Sequence, residues 1–494
     1  MGLFLTLLYI LTAYLGPETL WGPIAQFHIE IILAGLATIA SLHGLQRSRF
    51  FTIPQTYALV GMCVAVFFSM LFTGWFGSIP GALLGFIPNA FCFFLVVVNF
   101  RTKRHLQFLI ATFLIICLFT TARGYMALRA GNYLSPYLIA QGNDEGVSIY
   151  RLRGLAFIND PNDFAQVIVS LIPLIFFFRR KGSGLFNLLL LGPVSVLIYG
   201  MYLTHSRGGM VAMLAVVLFA FRRKIGTIPA SIIAGVMFAV GNVLGWSGGR
   251  DVSAEAGAGR MEAWAVGLDL IKSHPIFGVG FQRFSEYFFI TAHNTVIVCA
   301  AELGMFGLFW WVMFVLPTLR DAYVSSTGKT EKVIRDVDQP MPYEVAFAAQ
   351  REPVAQLHWQ PAGYTAQNTQ DAIVATGSTS GMSLEEMENI PLHLQDEMET
   401  LELPPEEIQR IASLMLISLV GYFVAGWFLS RAYIMTLFIY GGMVQVIYQI
   451  ALGRDLVPTR MNTWKIVKYS GIWSVGLILV VYLMLRIQHM MGIR

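Results

Sequence analysis

Charge is scarce in this chain. Only 13% of its 494 residues are Asp, Glu, Lys or Arg, against about a quarter in an ordinary soluble domain. That shortage excludes a cytosolic enzyme, and the 56% hydrophobic content excludes a disordered chain. Cysteine is scarcer still: the four, Cys63, Cys92, Cys117 and Cys299, lie far apart inside apolar stretches. Neither a disulfide-stapled secreted module nor a cysteine metal site follows from them. The nine histidines are dispersed and no two have metal-ligand spacing such as HExxH, so no metal and no other cofactor is predicted. No nucleic-acid partner is expected either. What the chain has in abundance is apolar runs of about 20 residues, each continuous rather than alternating. Those runs predict an all-α polytopic transmembrane bundle in contact with membrane lipids, not a barrel.

Thirteen apolar runs fall near 3–15, 26–44, 55–74, 80–99, 105–121, 163–178, 185–203, 208–221, 227–245, 293–316, 410–428, 432–450 and 468–487. The first lacks a basic flank and a small-residue cleavage site, so it is expected to be a span rather than a cleaved leader. Basic residues mark every second connection: Arg47 and Arg49; Arg101, Lys103 and Arg104; Arg179, Arg180 and Lys181; Arg222, Arg223 and Lys224. Arg320 follows, then Arg454, Arg460, Lys465 and Lys468, whereas the connection 74–81 carries no positive charge. By the positive-inside rule the N-terminus is cytoplasmic.

This gives N-terminal transmembrane helices over 1–121 and a catalytic membrane core over 122–316, with outer loops 122–162 and 246–292. A cytoplasmic insert spans 317–409, and C-terminal transmembrane helices span 410–494. Residues 354–380 of the insert are rich in Gln, Thr, Ala, Gly and Ser and predict a flexible tether. A capping-box pattern from Ser383 to Glu386 opens an acidic helix, and Pro404 and Pro405 suit the start of the next span.

The outer connections hold positive charge where it is selected against. Loop 122–162 carries Arg123, Arg129, Arg151 and Arg153; the turn Thr204-His-Ser-Arg-Gly-Gly209 carries Arg207; loop 246–292 carries Arg250, Arg260 and Arg283. Nearly all are arginine, whose rigid fork binds phosphate bidentately in a partly dehydrated site. The inference is an anionic ligand, most economically a phosphate or pyrophosphate. The competing reading pairs individual arginines with Asp144, Glu145, Asp160, Asp163 or Asp251, or with lipid headgroups. Arg207 favours the ligand, because Gly208 and Gly209 allow close backbone approach at a helix N-terminus. Around Arg260 the segment to Trp264 predicts an amphipathic helix at the membrane interface, closed by a Pro/Gly turn through Gly280, with Trp264 and Phe281 in the aromatic belt.

His293-Asn294 opens a span. On a continuous helix, Ile297, Ala300, Gly304 and Gly307 would share the His293 face, a mostly small surface that a neighbouring helix can approach. A histidine in the first turn is kept neutral by the helix dipole and can act as a general base. Glu302 would lie on the opposite face, on the order of 13 Å deeper; its partner is not evident, although intramembrane acids are usually functional or paired. His205, beside Arg207, is a second candidate base.

These residues resemble the O-antigen ligase and polymerase superfamily of bacterial envelopes. The resemblance rests on Ser206-Arg-Gly-Gly209, on Arg151-Leu-Arg153-Gly154 followed by Asn159-Asp-Pro-Asn162, on the stretch from Gly259-Arg260 to Gly280, and on His293-Asn294 with Gly304 and Gly307. It covers roughly a third of the chain, over 150–316. It implies a GT-C-like glycosyltransferase of the bacterial inner membrane, with its site facing the periplasm. The implied donor is a glycan on undecaprenyl pyrophosphate and the acceptor a lipid or glycan hydroxyl. His293 would deprotonate or orient that hydroxyl; Arg207 and Arg260, assisted by Arg153 and Arg151, would hold the pyrophosphate; Asn294, Gly304, Gly307 and Asn162 would support them. Fixed guanidiniums make metal-free transfer reasonable. Ligation to lipid A core, polymerisation of repeat units and transfer to a protein hydroxyl share this constellation, and the His-Asn signature favours ligation. The insert and an extra C-terminal span depart from the simplest members. A lipid-linked sugar transporter or flippase is the rival from another class; it expects midplane charges, interrupted helices and internal repeats.

Overall fold

The computed structural model of the chain describes residues 1–20, 22–45, 48–74, 76–142, 148–248, 258–328 and 403–490. The tether over 354–380 and the helix start at Ser383 lie outside the described residues, as do Asp144, Glu145, Arg250 and Asp251.

Every one of the thirteen apolar runs folds as a helix. In chain order these are α1 (Gly2–Leu15), α2 (Ile29–Leu45), α3 (Pro54–Leu71), α4 (Ile79–Asn99), α5 (Lys103–Arg129), α6 (Pro161–Ile175), α7 (Leu191–Leu203), α8 (Arg207–Ile225) and α9 (Thr227–Val243). After the amphipathic α10 (Ala258–Ser273) come α11 (Thr295–Thr327), α12 (Pro405–Gly426), α13 (Met435–Gly453) and α14 (Thr463–Met490). Among the described residues nine helical segments are long and apolar enough to cross a membrane, and α1, α2 and α9 are shorter apolar helices. The protein is therefore an all-α polytopic bundle. Its only strands among the described residues are β1 (Leu138–Gly142) and β2 (Ser148–Leu152), an antiparallel hairpin that sets Ile139 opposite Arg151.

Burial sorts the helices into a centre and a rim. Some 89% of the α13 span and 83% of the α6 span are buried, against 17% of α14. α12 packs on α6, α8 and α11, so the connection that follows it, 427–434, lies over the ends of those three helices. α5 ends later than the sequence expectation, and α12 starts where its prolines predict. α5 runs to Arg129, so Arg123 rides a helix with its guanidinium over the Tyr137 ring. Pro405 begins α12 with Pro404 as its cap, because proline has the right φ for a first turn and no N–H to leave unsatisfied there.

α11 is not one continuous helix. Gly304 has φ 68° and ψ −173°, a conformation essentially open only to glycine. The backbone groups that the break frees are taken up by the Pro/Gly segment after α10. Val279 and Gly280 donate to the carbonyls of Ala301 and Glu302 at 2.9 and 3.0 Å, and Met305 and Phe306 donate to those of Pro275 and Ile276 at 2.8 and 3.1 Å. The two backbones touch, since a Cβ on Gly304 would strike the Ile276 carbonyl and one on Gly278 would strike that of Glu302. A broken helix is tolerated at membrane depth only when its polar groups are re-satisfied in this way.

Candidate active site

The site forms at the end of the bundle that carries the hairpin, where α6, α8 and α11 begin. Asp160 caps α6 by accepting the Asn162 N–H at 2.7 Å, and Ser206 caps α8 by accepting that of Gly209 at 3.1 Å. Asn162 ties the two together, its Oδ1 accepting from Ser206 Oγ at 2.8 Å and from Arg151 Nη2 at 3.1 Å. Arg151 is buried, donates through Nε to the Thr204 carbonyl at 2.7 Å and reaches Gln141 on β1. Arg151 and Asn162 thus lock the hairpin onto two helix starts. Arg153 instead donates to the Pro136 carbonyl at 3.1 Å, at the base of the hairpin.

Arg207 and Arg260 come together. Arg207 is the first residue of α8, Arg260 lies in the first turn of α10, and burial together with the positive charge of Arg207 lowers the proton affinity of Arg260. Arg260 lines a narrow crevice with Asn162, Ser206, Gly208, Gly209 and Phe428. The glycines do more for packing than the sequence suggests: a Cβ at Gly209 would press on Ala165 of α6, and one at Gly208 on Phe428.

His293 stands differently from the sequence expectation. It lies outside α11, at φ 46°, a left-handed conformation that few non-glycine residues adopt and that clusters at functional sites. The cap is Asn294, whose Oδ1 accepts from Val296 and Ile297 at 3.0 and 3.1 Å and whose Nδ2 donates to the Trp427 carbonyl at 3.2 Å. The predicted face running from His293 to Gly304 and Gly307 therefore does not exist: His293 precedes the helix and Gly304 breaks it. Two contacts hold the His293 backbone. Its N–H donates to Ser430 Oγ at 2.8 Å, and Trp264 Nε1 donates to the preceding carbonyl, Ala292, at 2.7 Å. Trp264 and Phe281 are both buried, which corrects their expected place in an interfacial belt. Burial lowers the pKa of His293, and Arg260 and Arg431 press the same way against Asp160. The imidazole is thus kept neutral, but by its surroundings rather than by a place in the first turn.

Arg431 is the residue that the sequence reading passed over. It forms a two-pronged ion pair with the buried Asp163 of α6, with Nε to Oδ1 at 2.9 Å. Burial opposes its charge, yet Asp163 holds its pKa above the ordinary value. The rule that singled out Arg207 applies equally to Arg431, which sits between two spans at the same end of the bundle. His205, the second candidate base, is turned toward the Trp246 carbonyl at 3.1 Å and packs on Tyr202.

Two hollows adjoin the cluster. An apolar groove of about 270 Å³ starts at Thr295 and Trp427, beside the α11 cap, and continues past Trp311 to Trp473 and Leu477 of α14. A second, polar hollow lies behind Ser430 and Arg431.

The stretch holding His205, Arg207, Arg260 and His293 can be compared with known families. Residues 192–312 match the family model described as O-antigen ligase. That stretch is similar to an O-antigen ligase domain. No curated protein matches the chain. The O-antigen ligase match contains Ser206, Arg207, Arg260, His293, Asn294, Gly304 and Gly307, whereas Arg151, Asn162 and Asp163 precede it and Arg431 follows it. It supports a membrane glycan-processing enzyme of the ligase and polymerase superfamily.

Proposed function

We propose that the protein is a glycosyltransferase that moves a glycan from a polyprenyl pyrophosphate, undecaprenyl in bacteria, to an acceptor hydroxyl at the outer face of the inner membrane. The observation that carries this reading is Arg260 placed between Arg207 and a neutral His293, near enough to each to interact electrostatically, at converging helix starts. The Arg260 guanidinium, whose charge is disfavoured by burial and by Arg207, is relieved by a doubly charged anion, and helix N-termini add to that attraction. The apolar groove that begins beside the α11 cap suits the polyprenyl chain, which keeps its pyrophosphate at the guanidiniums.

In the reaction, the neutral imidazole of His293 takes the proton of the acceptor hydroxyl as its oxygen forms a bond to the anomeric carbon. The bond between that carbon and the phosphate oxygen breaks, and the electron pair leaves on the pyrophosphate. Arg207 and Arg260 stabilise the charge that accumulates there, and Arg431, fixed by Asp163, adds positive potential from the other side. Arg151 and Asn162 act on Arg207 indirectly by holding the start of α8, while Arg153 assists from the base of the hairpin. The His-Asn pair at the cap of α11 favours ligation over polymerisation as the use made of this chemistry.

The rival transport reading expects an interrupted helix, and α11 has one. Both sides of that interruption are closed by hydrogen bonds from residues 275–280, which supports a structural break rather than a vacant ion or substrate seat. The deciding experiment incubates the purified protein with radiolabelled undecaprenyl-pyrophosphate glycan and candidate acceptors. Label is expected to pass to an acceptor with wild-type protein and not with His293→Ala of normal folding. Undiminished transfer by that variant removes His293 from its role, and vectorial movement of intact donor without transfer supports transport instead.

A further inference from the structure

Behind the His293 cluster lies a cavity of about 390 Å³, within the size range of small-ligand sites. Its rim is formed by the exposed Gln282 and Ser285, its walls by the half-buried Asn89, Thr291 and Ser430, and its floor by Glu302, which is only 5% exposed. The break at Gly304 sets that floor. α11 is interrupted two residues past Glu302, the 275–280 segment fills the gap, and the chain continuing from it brings the backbone amides of Gln282 and Phe284 to the Glu302 carboxyl. A carboxylate has about four acceptor positions, so two amide contacts leave capacity directed at the cavity. Phe157, Phe284 and Tyr433 add aromatic surface. The one cation at the wall, Arg431, already carries Asp163 as counter-ion.

This lining differs in kind from that of the crevice beside Arg260. Hydroxyl and amide groups, one buried carboxyl and aromatic faces suit a neutral polyhydroxylated ligand, and the one cation they offer a phosphate, Arg431, is already paired with Asp163. A carboxylate accepts from two neighbouring hydroxyls at once, and aromatic rings cover the apolar C–H face of a sugar. The cavity is also joined to the catalytic cluster through one dipeptide: Ser430 accepts the His293 N–H and donates to Thr291 Oγ1 at 2.8 Å, and Arg431 pairs with Asp163.

We infer that this cavity is the subsite for the acceptor's neutral sugar, with Glu302 as the residue that grips a pair of its hydroxyls. Calling that sugar the acceptor rests on the glycosyltransferase reading; the binding chemistry does not. The two substrates are thereby separated by charge, the pyrophosphate at the guanidiniums and the neutral sugar at the carboxylate, with His293 between them.

The test reads occupancy rather than turnover. In the full-length protein carrying Ser285→Cys at the rim, the rate of modification by a hydrophilic maleimide is measured. A panel of neutral hexose, heptose and hexosamine oligosaccharides is added, then inorganic pyrophosphate, then a serine-rich peptide. At least one oligosaccharide is expected to slow modification fivefold or more, with pyrophosphate and peptide without effect. Protection is expected to fall at least tenfold in apparent affinity with Glu302→Gln, which preserves the shape of the side chain. Should Glu302→Gln fold poorly, Asn89→Trp fills the cavity from α4 and is expected to abolish protection. Protection by pyrophosphate or peptide instead of sugar, by no member of the panel, or undiminished in the folded variants overturns the inference. Failure of the transfer assay with intact sugar protection would instead overturn the glycosyltransferase reading and leave the subsite standing.

Discussion

Arginines at the two ends of this bundle are used in different ways. At the end that bears the insert, Lys103 and Arg410 converge on Glu407, with 2.7 Å contacts from each, and Arg320 meets the adjacent Asp321 at 2.8 Å. Arg460 ties the Thr52 carbonyl and Gln445 together at 2.7 and 3.2 Å. Those cations are matched to acceptors and fasten one helix to the next. At the hairpin end, Arg151 and Arg431 are fastened in the same manner, but Arg260 is brought toward both Arg207 and His293. The residue type alone therefore does not report function. What does is the company the fold gives a guanidinium: Arg260 is partly buried beside a second guanidinium and an imidazole, and like charges gathered in such a place are costly until an anion arrives.

The sharpest break in that comparison is His293→Ala. Loss of a general base costs about 10²–10⁴-fold in rate, and transfer by the variant is expected to fall in that range with its melting temperature near wild type. Next come Arg207→Lys and Arg260→Lys, which keep the charge but lose the fork; each is expected to lower donor kcat/KM by about 10–100-fold, the worth of a charge-assisted hydrogen bond or two. The matching change at the other end, Arg460→Lys, should alter donor kcat/KM less than about threefold if only the hairpin end meets the donor. Arg431→Met strands the buried Asp163 and is expected to destabilise the protein by about 3 kcal/mol. Asp163→Asn should cost less, and the double variant should recover part of the loss, as read by thermal unfolding in detergent.

The smallest effect is on pH. Burial and Arg260 lower the pKa of His293, and the base works only when neutral. Donor kcat/KM, which reports the free enzyme, should thus hold as pH falls through the ordinary histidine value of about 6.5 and drop only below it. Removing the positive charge in Arg260→Met raises that pKa, so the acid limb is expected to move to higher pH.

Most of the fold was legible in the sequence because a transmembrane helix needs little beyond an unbroken apolar run and a charged flank, and all thirteen runs fold as helices, with nine segments among the described residues long and apolar enough to cross. The hairpin was not, since Leu138–Gly142 and Ser148–Leu152 are short and their pairing is fixed by Arg151 reaching Thr204 and Asn162. The break at Gly304 escaped for a related reason: the partners that make it affordable, residues 275–280, come from another segment, and helical periodicity cannot see them. The candidate site was legible residue by residue, in Arg207, Arg260 and His293, while its division of labour was not. Arg151 and Arg207 look equivalent as outer arginines, and only tertiary hydrogen bonds assign one to the scaffold. Arg431 carried the same signal as Arg207 and lay in a connection too short to draw notice.

Binding of undecaprenyl pyrophosphate without its glycan, measured directly on purified protein, tests the central claim most simply, since it isolates the guanidinium pair from chemistry and acceptor. Affinity is expected to fall about tenfold or more in both Arg207→Lys and Arg260→Lys, with His293→Ala and Arg460→Lys near wild type. Equal affinity across all four variants would contradict a pyrophosphate seat at the hairpin end.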